Sequence, residues 1–461
     1  MAASILFLDM REPFLPLIAA AGENGFVPIM NGPLIRRARE QGLPCLALES
    51  FTPGDLQERL TREIGRIARK LEQALQQPDT LKVFASPRGS FLPRTGQSFF
   101  QCLMEMLVLE ISAVETFTAL VARQEVALVV LRTEKGPAER TIISLAARYG
   151  IPTLQVAHSI YAQTDVAAAG EYQRGLDADY IAVFGPRAAR FLMDMGVEDR
   201  RIFVTGSPYA DALGAPASLL SRQEACRQLG LDPAVPVLLF CTSYTISDTP
   251  FFPVKLQRLH DIHAAVVQLV AQRKKPVQFL VRLHPSEIER VMLSPADERA
   301  LLQAYQEYLS RQGVEQCHIS RGDKVPAIRA ADLVVVGDMS GIIPEIMMLE
   351  RPTVVLPWRL KADMGVIPNP YTEQDGLVVL EDLEHLPEVV DTLLDNPERR
   401  QEMVRRQKDA LPDLNCGHDG QALMRLTRLV LTLAWESLER QHSVSNAVQT
   451  TPSSPWENTM L

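Results

Sequence analysis

The sequence predicts an α/β protein of two doubly wound domains followed by closing helices, and three observations carry that prediction. Short apolar β-type runs alternate with amphipathic helical ones along most of the chain, the pattern of parallel strands joined by covering helices. The alternation pauses at Thr205-Gly-Ser-Pro-Tyr-Ala-Asp211 and the Gly/Ala/Pro-rich residues after it, which read as a domain boundary. A length of 461 residues suits two or three domains with large apolar cores. The expected domains are therefore 1–212 and 213–440, and 441–461, rich in Ser, Thr, Asn and Pro without periodicity, is expected to be a disordered tail.

In the first half Ser4–Leu8, Phe26–Met30 and Pro44–Leu48 read as strands. An amphipathic, highly charged helix follows from about Pro53 to Gln77, and a more apolar one, expected to be buried by its neighbours, from about Gly96 to Arg123. Val126–Leu131 is the clearest strand of this half; it opens into Arg132-Thr-Glu-Lys-Gly-Pro137 before a helix that Gly150 stops. Thr153–Ala157 is the next strand and ends at His158. After a polar segment come strand Tyr180–Phe184, a helix to Gly196 and strand Ile202–Thr205.

The second series begins with strand Val235–Cys241, the polar loop Thr242–Asp248 and a helix from about Pro253 to Gln272. Strands at Val277–Val281, Glu315–Ile319, Leu333–Val336, Thr353–Leu356 and Leu377–Leu380 alternate with helices, and helices at roughly 383–394, 397–410 and 420–440 close the fold. Polar loops thus follow core strands in both halves, and in open α/β sheets ligands collect at such carboxyl ends.

Composition narrows the function. At 46% apolar and 22% charged the chain reads as ordinary globular protein, and a net charge of −9 offers no general attraction to nucleic acid or anionic lipid. An anionic ligand must therefore be caught by a local site. The six cysteines are scattered without a Cys-x-x-Cys pair, which argues against a zinc site or a disulfide framework and fits a reducing cytoplasm. The first residues lack a basic leader, and no stretch has the length and apolarity of a membrane span, so the expected location is cytoplasmic, with any membrane contact peripheral at the inner face of the plasma membrane.

The local site is sought at Arg282-Leu-His-Pro285. Proline holds His284 extended, so Arg282 and His284 share one face while Leu283 turns to the core. Ser286 with Glu289 fits a capping box, which sets helix N–H groups beside them. A phosphate there would meet a guanidinium, an imidazole donor and a helix start; the plainer alternative is a solvated strand end with Arg282 in a surface ion pair. A second loop, Gly337-Asp-Met-Ser-Gly341, supports the phosphate. Ser340 and Gly341 permit close approach, Pro344 suits the first helical position, and Glu345 in the first turn either caps its helix or accepts from ribose hydroxyls. Thr242 and Ser243, opening the loop after Cys241, join this set of nucleotide-binding candidates.

Arg-x-His-Pro after a strand, Ala-Ala-Asp-Leu-Val-Val-Val, a Ser-Gly loop, Glu345 and Leu349-Glu-Arg-Pro-Thr-Val-Val-Leu356 together resemble the nucleotide-binding domain of two-domain GT-B glycosyltransferases. The likeness points to bacterial surface-polysaccharide enzymes: capsule transferases, CDP-glycerol glycerophosphotransferases and the UDP-N-acetylglucosamine 2-epimerase branch. It extends to Gly150–His158, Ala178–Gly185 and Gly196–Pro208 with Asp211, covering roughly Val126 to Pro357, and weakly to Asp419–Ala422. The resemblance implies two Rossmann-like domains facing a central cleft, with the donor held in the second and the acceptor in the first. Arg282 and His284 would hold the donor phosphates, Ser340 and Gly341 would contact phosphate or ribose, and Glu345 would bind the ribose. It implies no catalytic metal and no cofactor beyond the nucleotide-activated donor.

The departures bear on the reaction. Many relatives have His-Gly where this chain has His158-Ser159; the epimerase branch has a Glu-Ala-Gly carboxylate at that strand end and a His-Arg pair where Cys241-Thr-Ser-Tyr244 stands here. Both differences argue against epimerase chemistry. An inverting transferase needs a base for the acceptor hydroxyl, and His158 and Glu134 are the candidates. His158 is preferred because neutral imidazole accepts a proton near pH 7, although a histidine bonded into its loop is the plain alternative. Glu134 could simply pair with Arg132 or Lys135, and Asp9 and Arg11, at the end of the first strand, either line the cleft or, as the plainer reading, are solvated loop residues.

The resulting expectation is a transferase moving a sugar or a polyol phosphate from a nucleotide-activated donor to a glycan or lipid-linked acceptor in bacterial surface-polysaccharide (capsule) biosynthesis, beside membrane-bound enzymes of the same process. A nucleotide-sugar epimerase or hydrolase and a non-catalytic nucleotide-binding module are the alternatives.

Overall fold

The computed structural model describes residues 2–32, 34–75, 77, 85–86, 89–90, 92–134, 136–157, 176–211, 213, 220–243, 252–284, 295–314, 317–320, 322–338, 340–357, 371–416 and 419–450. In chain order its strands are β1 (Ser4–Leu8), β2 (Val27–Met30), β3 (Leu46–Ala47), β4 (Ala85–Ser86), β5 (Gly89–Ser90), β6 (Val126–Leu131), β7 (Thr153–Val156), β8 (Tyr180–Val183), β9 (Ile202–Val204), β10 (Val237–Cys241), β11 (Gln278–Arg282), β12 (Cys317–Ile319), β13 (Leu333–Val336), β14 (Thr353–Val355) and β15 (Leu377–Val379). Seven strands form one sheet in the order β3-β2-β1-β6-β7-β8-β9, and six form a second, β12-β11-β10-β13-β14-β15. β4 and β5 make a separate antiparallel hairpin that the sequence does not predict. The doubly wound α/β class is the one the alternation of strands and helices foretold.

The described residues fall into two compact units: those of Met1–His158, with Leu176–Ala182 and those from Met424 on, and those of Val183–Leu423. In the first, β1 is buried along its whole length and runs parallel to β2 and β6, with Leu6 level with Ile29 and Val129. The helices Leu92–Val121 and Pro137–Arg148 bring Phe117, Leu120, Ile142 and Ile143 onto Val129 and Leu131. Gly150, at φ +67°, ends the second of these helices where a side chain would be strained, as the sequence requires.

The last helix runs Ala422–Thr450, past Arg440, where the composition suggested that order stops. Tertiary partners explain the extension: Gln441 Nε2 donates to the Val126 carbonyl at 3.4 Å and His442 Nε2 meets Glu125 Oε1 at 2.8 Å. Polar composition alone does not reveal such partners. Residues 451–461 of the expected tail lie outside the described residues. Among the described residues no helix is long and apolar enough to cross a membrane.

In the second unit β10 is central and wholly buried, flanked by β11 and β13. Ile262, Val266, Leu302 and Leu309 from the covering helices pack on Leu238, Phe279 and Leu333. The start of the last helix is fixed by Asp211, whose carboxylate accepts from the N–H groups of Ala422 (3.1 Å) and Leu423 (2.6 Å). That gives the Gly-Ser-Pro…Asp segment of the sequence a structural duty: it caps a helix 211 residues away.

Candidate functional site

The register of the second sheet assembles the site. Cys241 at the end of β10 is level with Arg282 on β11 and Val336 on β13, so the loops that follow these three strands leave the sheet side by side. The alternation expected in Arg282-Leu-His is present: Leu283 is buried in the core while Arg282 and His284 are partly exposed. Arg282 is held in place by donating to Ser320 Oγ at 3.3 Å and to the Gly322 carbonyl at 2.8 Å. Burial pushes its pKa below the usual guanidinium value, opposed by nearby Cys241, Asp323 and Glu345. A cation destabilised by burial is suited to receive an anionic ligand.

Thr242 knits the first two loops together: its N–H donates to the Arg282 carbonyl (3.0 Å) and its Oγ1 accepts the His284 N–H (2.9 Å). Ser243 knits in the third, donating from Oγ to Asp338 Oδ2 at 3.1 Å, with both residues buried. The Ser340 N–H returns to the Asp338 carbonyl at 2.8 Å, and the buried Tyr371 reaches the Ser340 carbonyl at 3.5 Å. Gly341 continues this turn into the helix Ile343–Met348, with Pro344 in the first positions and Glu345 in the first turn, as the sequence foretold. Thr242, Ser243, Arg282, His284, Ser340, Gly341 and Glu345 therefore belong to one side of one sheet.

Glu345 is not alone. Lys324, just before the helix Val325–Ala330, places its ammonium 2.6 Å from Glu345 Oε1. Burial raises the Glu345 pKa, and the Lys324 charge acts against that rise, followed by Arg282. Lys324 and Asp338 are the residues of this cluster that sequence reasoning missed. Asp338 stood within the quoted Gly-rich loop, whereas Lys324 is 21 residues from its partner and carries no local signal.

His158, and Pro285, Ser286 and Glu289 of the expected capping box, lie outside the described residues. Glu134 is described, and its carboxylate accepts from the N–H groups of Asp177 (2.9 Å) and Ala178 (3.3 Å), just before β8. Glu134→Ala is accordingly expected to lower stability by about 1–3 kcal/mol in urea unfolding, because two backbone donors lose their acceptor.

A second polar cluster sits at the strand ends of the first unit. Asp9, after β1, adopts φ +52°; its N–H donates to Asn31 Oδ1 at 2.7 Å, and Arg132 Nε donates to its carbonyl at 2.9 Å and to its Oδ2 at 3.0 Å. Glu139 lies within electrostatic reach; burial chiefly raises its pKa, with a further rise from Asp9. The sequence offered Asp9 as a loop residue, and the tie to Arg132, 123 residues on, is visible only in three dimensions. Among the described residues no group of three His, Cys, Asp or Glu side chains is placed to hold a metal ion.

No protein-family model and no curated protein sequence matches the chain. Solved structures do. A UDP-GlcNAc 2-epimerase from Neisseria meningitidis, bound to UDP-GlcNAc, matches at 13% identity and a TM-score of 0.52, covering 94% of this chain and 100% of that one. The S. aureus MnaA–UDP co-structure matches at 14% identity and a TM-score of 0.51, covering 94% and 97% of the two chains. A glycosyltransferase from Rickettsia africae gives a TM-score of 0.49 at 13% identity over 95% and 99%. At such identities the likeness is one of fold: the layout of two doubly wound sheets belongs to the GT-B type.

Proposed function

We propose that the protein is a transferase that binds a nucleoside-diphosphate-activated donor through its second unit and passes a sugar or polyol phosphate to a glycan or lipid-linked acceptor of surface-polysaccharide synthesis. The observation that carries the reading is the convergence of Arg282, the Thr242–Ser243 loop, the Ser340–Gly341 turn and Glu345 beyond the ends of β11, β10 and β13. A guanidinium held by fixed acceptors suits a diphosphate, and a buried carboxylate suits ribose hydroxyls. The structurally similar epimerase is bound to UDP-GlcNAc, which supports a uridine diphosphate donor.

In this reading the departing diphosphate is stabilised by Arg282 and His284, and a base in the first unit takes the acceptor proton. His158, two residues after β7 in the chain, remains the proposed base. No metal is invoked, and the acceptor side is assigned to the first unit.

The test begins with thermal unfolding in the presence of UDP, GDP, CMP, CDP and their sugar derivatives. One of them, at 100 times its Kd, is expected to add about 2.7 kcal/mol of apparent stability. Incubation of that donor with and without a glycan acceptor then decides the reaction. Product that requires acceptor supports transfer; product from donor alone supports the epimerase or hydrolase reading that the similar epimerase fold favours; binding with no turnover leaves a nucleotide-binding module.

A further inference from the structure

Glu345 and Lys324 form an ion pair whose geometry is uneven. The glutamate side chain is 13% exposed and the lysine side chain 28%, so the acid is the more enclosed partner. Glu345 Oε1 takes the Lys324 bond at 2.6 Å, and among the described residues no donor reaches Oε2. One oxygen is thus engaged by a cation while the other is available to a ligand donor. Among the described residues, the remaining groups that sense this carboxylate are Arg282 at the end of β11, the Cys241 thiol at the end of β10 and the Tyr371 phenol. Burial pushes the thiol up to about 12 and the phenol above its ordinary value, so both are neutral near pH 7. From the packed helix Pro397–Leu414, Lys408 is spent on Glu350 at 2.9 Å.

We propose that Lys324 is the positioning residue of this site: its ion pair keeps Glu345 an acceptor-only carboxylate, and so makes recognition of a ribose diol persist into mildly acidic solution. The proposal rests on the donor reading given above and adds to it what keeps the ribose-binding carboxylate ionised and what sets the pH limit. An ionised carboxylate accepts from both hydroxyls of a ribose, whereas a protonated one must give up an acceptor position to its own O–H. Burial works against the ionised form, and the ammonium at hydrogen-bond distance is the main force opposing it. Acidification therefore weakens nucleotide binding as Glu345 takes up its proton, and loss of Lys324 moves that weakening to higher pH.

The experiment uses the full-length protein, Lys324→Met and Lys324→Arg. The carboxyl carbon of Glu345 is titrated by 13C NMR, assigned with Glu345→Gln. Affinities for UDP, CDP and GDP and for their 2′,3′-dideoxy analogues are measured from pH 5 to 8. Lys324→Met is expected to raise the Glu345 midpoint by about 1–3 pH units, to shift the acid limb of binding by the same amount, and to move the loss of preference for the ribose form to correspondingly higher pH. Lys324→Arg is expected to restore all three. Equal midpoints in wild type and Lys324→Met overturn the proposal, as does a ribose preference whose pH dependence is unchanged by the substitution. A wild-type protein that binds none of the three nucleotides overturns the donor reading itself, an outcome distinct from both.

Discussion

Arg282→Ala is expected to weaken binding of the donor nucleotide by about 30- to 1000-fold, equivalent to one or two charge-assisted phosphate bonds at about 1.5–3 kcal/mol each. The side chain is aimed by the Gly322 carbonyl and Ser320 Oγ, so its fork is fixed before any ligand arrives. Because burial already disfavours its charge, removing it should leave the unliganded protein's unfolding temperature nearly unchanged while abolishing the upward shift caused by nucleotide. Arg282→Lys keeps a charge but loses the fork, and an intermediate affinity is expected from calorimetric titration. Undiminished binding by Arg282→Ala would place the phosphates elsewhere.

The largest loss of stability is expected from Arg187→Met, about 3–5 kcal/mol in denaturant unfolding. Arg187 opens the helix Pro186–Asp194 and bonds Asp375 through both terminal nitrogens, at 2.9 and 2.8 Å, and Asp413 through Nε at 2.9 Å. Asp375 is 5% exposed and holds the guanidinium pKa above its usual value, with burial opposing and Asp413 adding to the rise. Without the arginine, Asp375 is left a buried anion. The same carboxylate accepts from Thr372 N–H at 2.8 Å and so fixes the turn that follows Tyr371, whose hydroxyl supports the Ser340 carbonyl. A secondary loss of nucleotide affinity is therefore expected in Arg187→Met. Arg187→Met with Asp375→Asn should recover part of the stability, since the buried charge is then gone.

Much of the proposed donor cluster was legible in the chain because its parts are local. Alternation along Arg282-Leu-His, a glycine- and serine-bearing loop after Leu333–Val336, and a proline at a helix start each announce themselves within a few residues. What escaped reading depends on long separations. Lys324 meets Glu345 across 21 residues, Ser243 meets Asp338 across 95, and Arg187 meets Asp375 across 188. Glu134 also reaches beyond its neighbours: its carboxylate accepts from the backbone at Asp177 and Ala178, more than forty residues on.

The sequence by itself determined the class of fold and the strands whose ends carry the polar loops, because hydrophobic periodicity and turn chemistry are written residue by residue. It also placed Glu345 in the first turn of its helix through Pro344. Only the tertiary structure decided which charges face one another: that Arg282 is bound by carbonyl and hydroxyl acceptors, that Glu345 shares its site with a lysine, and that Asp9 is locked to Arg132. The reason is physical. Strand register and helix packing set distances between residues far apart in the chain, and the electrostatics of a site depends on those distances and on burial, neither of which any short stretch of sequence contains.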